Sequence, residues 1–126
     1  MTDPTAPDLT TTTDAGIVIV RCTGELDLSG TPWLREALLG PLRAGARGLV
    51  VDLTETTFCD STVFSVLAEV FLDAGARNVP YAIAASETAV TRPLQLLGLD
   101  RLLPLHDGLA AAQAAVAGPP VAPAEV

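Results

Sequence analysis

Between Leu49 and Leu72 the chain reads LVVDLTETTFCDSTVFSVLAEVFL, and its apolar period changes once, at Cys59, Asp60, Ser61 and Thr62. Leu49 to Leu53 is an apolar, β-branched run of strand length. After the polar TETT, an apolar pattern interrupted at every fourth residue lasts long enough for a helix. On a helix beginning near Asp60, the residues Ser61, Ser65, Glu69 and Asp73 fall at i, i+4, i+8 and i+12 and make one narrow polar stripe. Ser61 is then exposed in the first turn, where unpaired N–H groups and the positive end of the helix dipole tolerate a phosphate. The plainer role open to the same residues is that Asp60 or Ser61 only caps the helix.

The rest of the chain supplies units of the same kind. DLTTTT predicts an edge strand with Leu9, Thr11 and Thr13 on one face, then a turn at Asp14-Ala15-Gly16 and a firm strand from Ile17 to Cys22. Gly24 to Asp27 is read as the end of that strand, and Thr31-Pro32 as the cap and first residue of a helix. In this helix Leu34, Leu38 and Leu42 share a face, and Pro41 ends or bends it. A strand, a helix and a second strand prefer a right-handed crossover and parallel pairing. Both strands then end at one edge of the sheet, with Glu25, Asp27, Glu55 and Asp60 along it. These carboxylates suit either a docking rim or ordinary solvated loops.

Gly75 ends the serine helix, and Tyr81 to Ala85 is a short strand too apolar for an exposed edge. Ser86 is expected to cap a helix through Leu97, kinked or restarted at Pro93 and closed by Gly98. A brief strand around Leu102 to Leu105, a cap at Asp107 and an alanine-rich helix ending at Gly118 complete the domain. A loose leader, 1–7, and a disordered tail, 119–126, are expected on either side.

Composition removes several functions. With 15 acidic against 7 basic residues, the net charge is -8, which disfavours nucleic acid or an anionic membrane as partner and favours a basic protein surface. All the basic residues are arginines, so no phosphate-loop or Schiff-base lysine exists. A metal would need carboxylates with Cys22, Cys59 or His106 at unhelpful spacing, and no cofactor or metal is expected. The two cysteines lie in apolar settings and read as buried thiols in a reducing cytoplasm. Trp33 suits the core or an exposed anchor equally.

VVDLTETTFCDST resembles the signature of STAS domains, the fold of bacterial anti-sigma factor antagonists: Val-Asp-Leu, a short polar segment, an apolar pair, then Asp-Ser-Ser/Thr-Gly. GELD at Gly24 to Asp27, the Leu34-Arg35-Glu36 of the first helix and the Gly98-Leu99-Asp100 segment are similar to further family motifs in order, so the resemblance covers Asp8 to Gly118. It departs at Val63, where the family has glycine, and at Gly30, where it has threonine, which moves the helix cap to Ser29 or Thr31.

The resemblance implies a single α/β domain with a mixed four- to five-stranded sheet and about four helices. It implies a non-enzymatic, cytoplasmic antagonist whose Ser61 is phosphorylated by an anti-sigma factor with serine kinase activity, with Asp27, Asp60, Thr62, Val63 and Ser65 also in the partner surface. A monomer or weak dimer is expected. Two other readings stand beside this one. One is a STAS scaffold without phosphoregulation or a module that binds a small molecule, which Val63 keeps open. The other is a hydrolase using Ser61 or Cys59 with His106 as base, although no Gly-x-Ser-x-Gly elbow surrounds Ser61.

Overall fold

The computed structural model describes residues 8–117. The leader at 1–7, the tail at 119–126 and the expected helix end at Gly118 lie outside the described residues. In chain order the elements are β1 (Asp8–Asp14), β2 (Ile17–Leu26), α1 (Thr31–Arg43), β3 (Gly48–Cys59), α2 (Ser61–Ala76), β4 (Tyr81–Ala84), α3 (Thr88–Leu96), a 3-10 turn (Leu99–Arg101), β5 (Leu105–His106) and α4 (Leu109–Val116). They form one five-stranded sheet in the order β1-β2-β3-β4-β5. The β1–β2 hairpin is antiparallel, with Leu9 opposite Cys22, and the three remaining pairings are parallel.

The layering follows from the pleat. Alternate residues point to opposite faces of a strand, so Val20 and Cys22, Leu49 and Val51, and Tyr81 and Ile83 face one way, into a core shared with Leu34 and Leu38 of α1, Val63 and Leu67 of α2, and Val90 and Leu94 of α3. Crossovers of one hand that always step to the next strand must leave their helices on one side. The other face holds a smaller core in which Val50, Ala82 and Ala84 meet Ala112 and Val116 of α4. A Cβ on Gly48 would lie 2.3 Å from Val116 Cγ1, so only glycine lets α4 sit this close to β3.

Several local expectations change. β2 continues through Gly24 to Leu26 and β3 through the polar TETT to Cys59, with two register shifts between them. Buried Thr56 makes this possible, because its hydroxyl donates to the Cys22 carbonyl at 2.8 Å and so needs no water. Gly24, at φ +87, turns the chain at one of the shifts. Pro41 lies inside α1 without ending it, since the helix has only Leu42 and Arg43 left to run.

The caps also move. Gly30 is the N-cap residue of α1 with no side-chain bond, because Ser29 donates to Asp27 and Thr31 donates to the Leu28 carbonyl. Glu87 rather than Ser86 precedes α3, Pro93 lies inside that helix, and Gly108 rather than Asp107 precedes α4. The last strand is Leu105–His106, displaced towards the C-terminus by the 3-10 turn that occupies Leu99–Arg101.

Candidate functional site

Parallel pairing of β2 with β3 brings Leu26 beside Cys59, so the chain leaves both strands at one edge. Asp60 follows with extended backbone and becomes the N-cap of α2, its Oδ1 accepting the Thr62 N–H at 2.9 Å and the Thr62 hydroxyl as well. The Asp60 N–H donates to the Leu26 carbonyl at 3.3 Å, which ties the cap to the end of β2. The Thr62 hydroxyl, together with the backbone N–H groups of Thr62, Leu28 and Val63, holds the Asp60 carboxyl below its ordinary range despite partial desolvation. It is therefore ionised at neutral pH.

Ser61 is the first residue of α2 and is exposed, as expected. Among the described residues its hydroxyl has no hydrogen-bond partner, while its carbonyl accepts the Ser65 hydroxyl at 3.3 Å. Ser65 is exposed too, but the lower half of the expected polar stripe is engaged in ion pairs. Arg35 of α1 grips Glu69 with Nη2 to Oε2 at 2.6 Å and Nε to Oε1 at 2.9 Å. Arg77 pairs with Asp73 at 2.8 Å. The side-chain bond from Arg35 lowers the pKa of Glu69, and the same bond raises that of Arg35.

Asp27 lies at the same edge but does not reach Ser61; its Oδ1 accepts the Ser29 N–H at 3.1 Å and the Ser29 hydroxyl at 2.7 Å, locking its own turn. Thr62 is half-buried against Asp60. Val63 corrects the expectation of a surface contact: its side chain is fully buried in the core, because a residue two positions after Ser61 points to the opposite side of the helix. Glu25 and Glu55 are exposed on the rim, while Asp52, fully buried, pairs with Arg21 at 3.0 Å.

Two apolar side chains at this edge escaped sequence reasoning. Leu28 is 65% exposed and Phe58 46% exposed. Phe58 was within reach of the pattern, since its neighbour Cys59 faces the core and adjacent strand residues face opposite ways. Trp33 proves half-exposed rather than core.

The elements of a hydrolase do not meet. His106 stands in one row with Ala84 and Asp52, on the sheet face away from α2. Cys59 is buried, and that burial pushes its thiol up to about 12, far from a nucleophile. Cys22 is likewise a free, buried thiol raised by burial. Among the described residues no group of three or more His, Cys, Asp or Glu side chains could hold a metal ion, and no helix is long and apolar enough to cross a membrane.

A model of the STAS domain matches residues 8–112. The chain belongs to the STAS domain family. Over 111 residues, 82% of this chain and 90% of the other, this STAS domain is 32% identical to the anti-sigma-F factor antagonist RsfB of Mycobacterium tuberculosis. Among solved structures, an anti-sigma factor antagonist from Mycobacterium paratuberculosis superposes with a TM-score of 0.82 at 27% identity, covering 93% of this chain and 99% of that one. The Bacillus cell fate determinant SpoIIAA in its phosphorylated form shares the fold at 16% identity, with a TM-score of 0.66 over 82% of this chain and 93% of that one.

Proposed function

We propose that this STAS domain is a cytoplasmic anti-sigma factor antagonist, a binding module rather than an enzyme, switched by phosphorylation of Ser61. The observation that carries the reading is the free Ser61 hydroxyl, exposed on the first turn of α2 directly after the ionised Asp60. The names of its relatives support the same class. The partner is an anti-sigma factor that is also a serine kinase, docking on Asp27, Asp60, Ser61, Thr62 and Ser65.

The kinase supplies the nucleotide and the general base, since His106 faces away. The serine oxygen forms the new bond to phosphorus as the bond to the nucleoside diphosphate breaks, and the serine proton passes to the kinase. The phosphate brings a charge of about -1.5 to -2 next to Asp60 on an edge that also carries Glu25, Asp27 and Glu55. Repulsion across a fitted interface then opposes binding, and a coupling of about 1 to 3 kcal/mol changes affinity by about 5- to 150-fold.

Mass spectrometry of the protein from its own cells, growing and stressed, tests the modification. A phosphate on Ser61 that varies with condition, and a kinase-like partner held only by the unmodified chain, support the reading. Constant absence of phosphate with a stable partner points instead to a constitutive adaptor. In reconstituted binding, Ser61→Ala keeps the partner and loses phosphorylation, while Ser61→Asp weakens binding; equal affinities would sink the charge switch.

A further inference from the structure

Two large apolar side chains stand in water where the chain leaves β2 and β3, Leu28 at 65% exposure and Phe58 at 46%. Both are built into the Ser61 site. The Leu28 N–H bonds to the Asp60 carboxylate, and Phe58 lies two residues before Asp60, near the end of β3. Carboxylates border them. Exposed Glu25 of β2 is the register partner of Phe58, and exposed Glu55 reaches Arg21 only at 3.9 Å. Asp27, next to Leu28, gives its Oδ1 to the Ser29 N–H and hydroxyl, which leaves Leu28 as the apolar group that this turn holds out to solvent.

We propose that Leu28 and Phe58 are the anchors that hold the serine kinase, whose docking face carries apolar sockets bordered by arginine or lysine. The inference rests on the phosphorylation reading, which supplies this partner and sets it against Asp60 and Ser61, and adds which side chains bind it and how. Charge and continuity select the occupant. On a chain of net charge -8, an edge bearing Glu25, Asp27, Glu55 and Asp60 attracts a basic surface, whereas a second copy meeting it with the same edge would set like charge against like. Because the Leu28 N–H is bonded to the Asp60 carboxylate, a protein that touches Asp60 meets Leu28 as well. The two kinds of group divide the task. Exposed carboxylates are screened by solvent, so each ion pair adds little affinity, but together they steer the approach. Apolar side chains desolvated at the centre of an interface carry most of its affinity and set how long the complex lasts.

The test uses the full chain and, as probe, the serine kinase that co-purifies with the unmodified chain, its binding followed by surface plasmon resonance. Leu28→Ala and Phe58→Thr, the second keeping a β-branched strand former, are each expected to raise the dissociation constant at least about tenfold, through faster dissociation with association little changed. Glu25→Gln is expected to act the other way, slowing association and weakening its dependence on salt. Leu96→Ala, which trims a leucine 75% exposed at the end of α3, is expected to bind as the native chain does. Urea unfolding shows which variants are folded, and Leu28→Ala, in a turn, decides the matter if Phe58→Thr is not. A kinase that phosphorylates Ser61 and holds both anchor variants as tightly as the native chain overturns the inference and leaves the phosphorylation reading standing. If no kinase binds any of these chains, the native one included, that reading fails and the inference with it. An equal loss in Leu96→Ala, or dimers of the chain alone that Leu28→Ala dissolves in sedimentation equilibrium, would also overturn the inference, the latter by assigning the anchors to a second copy.

Discussion

Asp60 performs two tasks with one carboxylate: it terminates the unpaired N–H groups of α2, and it keeps a negative charge next to Ser61. The depressed pKa links the two tasks. A carboxylate held lower in the folded than in the unfolded chain contributes stability that is fully present above its unfolded pKa, near 3.9, and is lost as pH falls through the folded value. Asp60→Ala is therefore expected to cost about 1 kcal/mol at neutral pH in urea unfolding. Asp60→Asn, which keeps a capping oxygen, is expected to lose less and to flatten the decline in stability below about pH 4. This part of the site was legible in advance because a cap is local chemistry, decided by Asp60, Ser61 and Thr62 themselves. Val63 was misread because the family pattern drew attention to its position, while its helical angle, opposite Ser61, already turned it inward.

At the scale of elements, α1 and α2 are held together near the site by the Arg35–Glu69 clasp, in which each side chain is less than half exposed. Bidentate geometry favours the pair and solvent screening limits it. A double-mutant cycle on Arg35→Ala and Glu69→Ala in urea unfolding is expected to give a weak favourable coupling that shrinks on raising salt. The clasp could not be read from the chain, since it joins residues of two helices whose relative rotation only the sheet determines. The strand extensions were hidden for a related reason. TETT looks like a loop by composition, but pairing with β2 gives its backbone partners, and Thr56 can be buried only because the Cys22 carbonyl is there to receive its hydroxyl. The start of α1 moved because Asp27, Ser29 and Thr31 bond within their own turn instead of capping.

Over the whole molecule the parallel order of β2 to β5 sorts charge between two poles. Glu25, Asp27, Glu55, Asp60, Glu87 and Asp107 lie towards the strand ends that lead to helices, whereas at the opposite end Arg43, Arg47, Arg77 and Arg101 are interleaved with Asp14, Asp73 and Asp100, so the negative charge is concentrated at the first pole. Such a field draws a basic partner to the Ser61 pole, so its association rate is expected to fall about tenfold or more from low to high salt in stopped-flow mixing, with dissociation much less affected. The general architecture was readable because the apolar periods along the chain repeat strand, helix and strand. The layer formed by α4 belongs to the same molecule but to a different moment. Of the described elements it is synthesised last, and Val50, Ala82 and Ala84 remain uncovered until it arrives. On the ribosome this domain therefore passes through a state with one finished face and one adhesive face, and the eight residues from Leu109 to Val116 decide when that state ends.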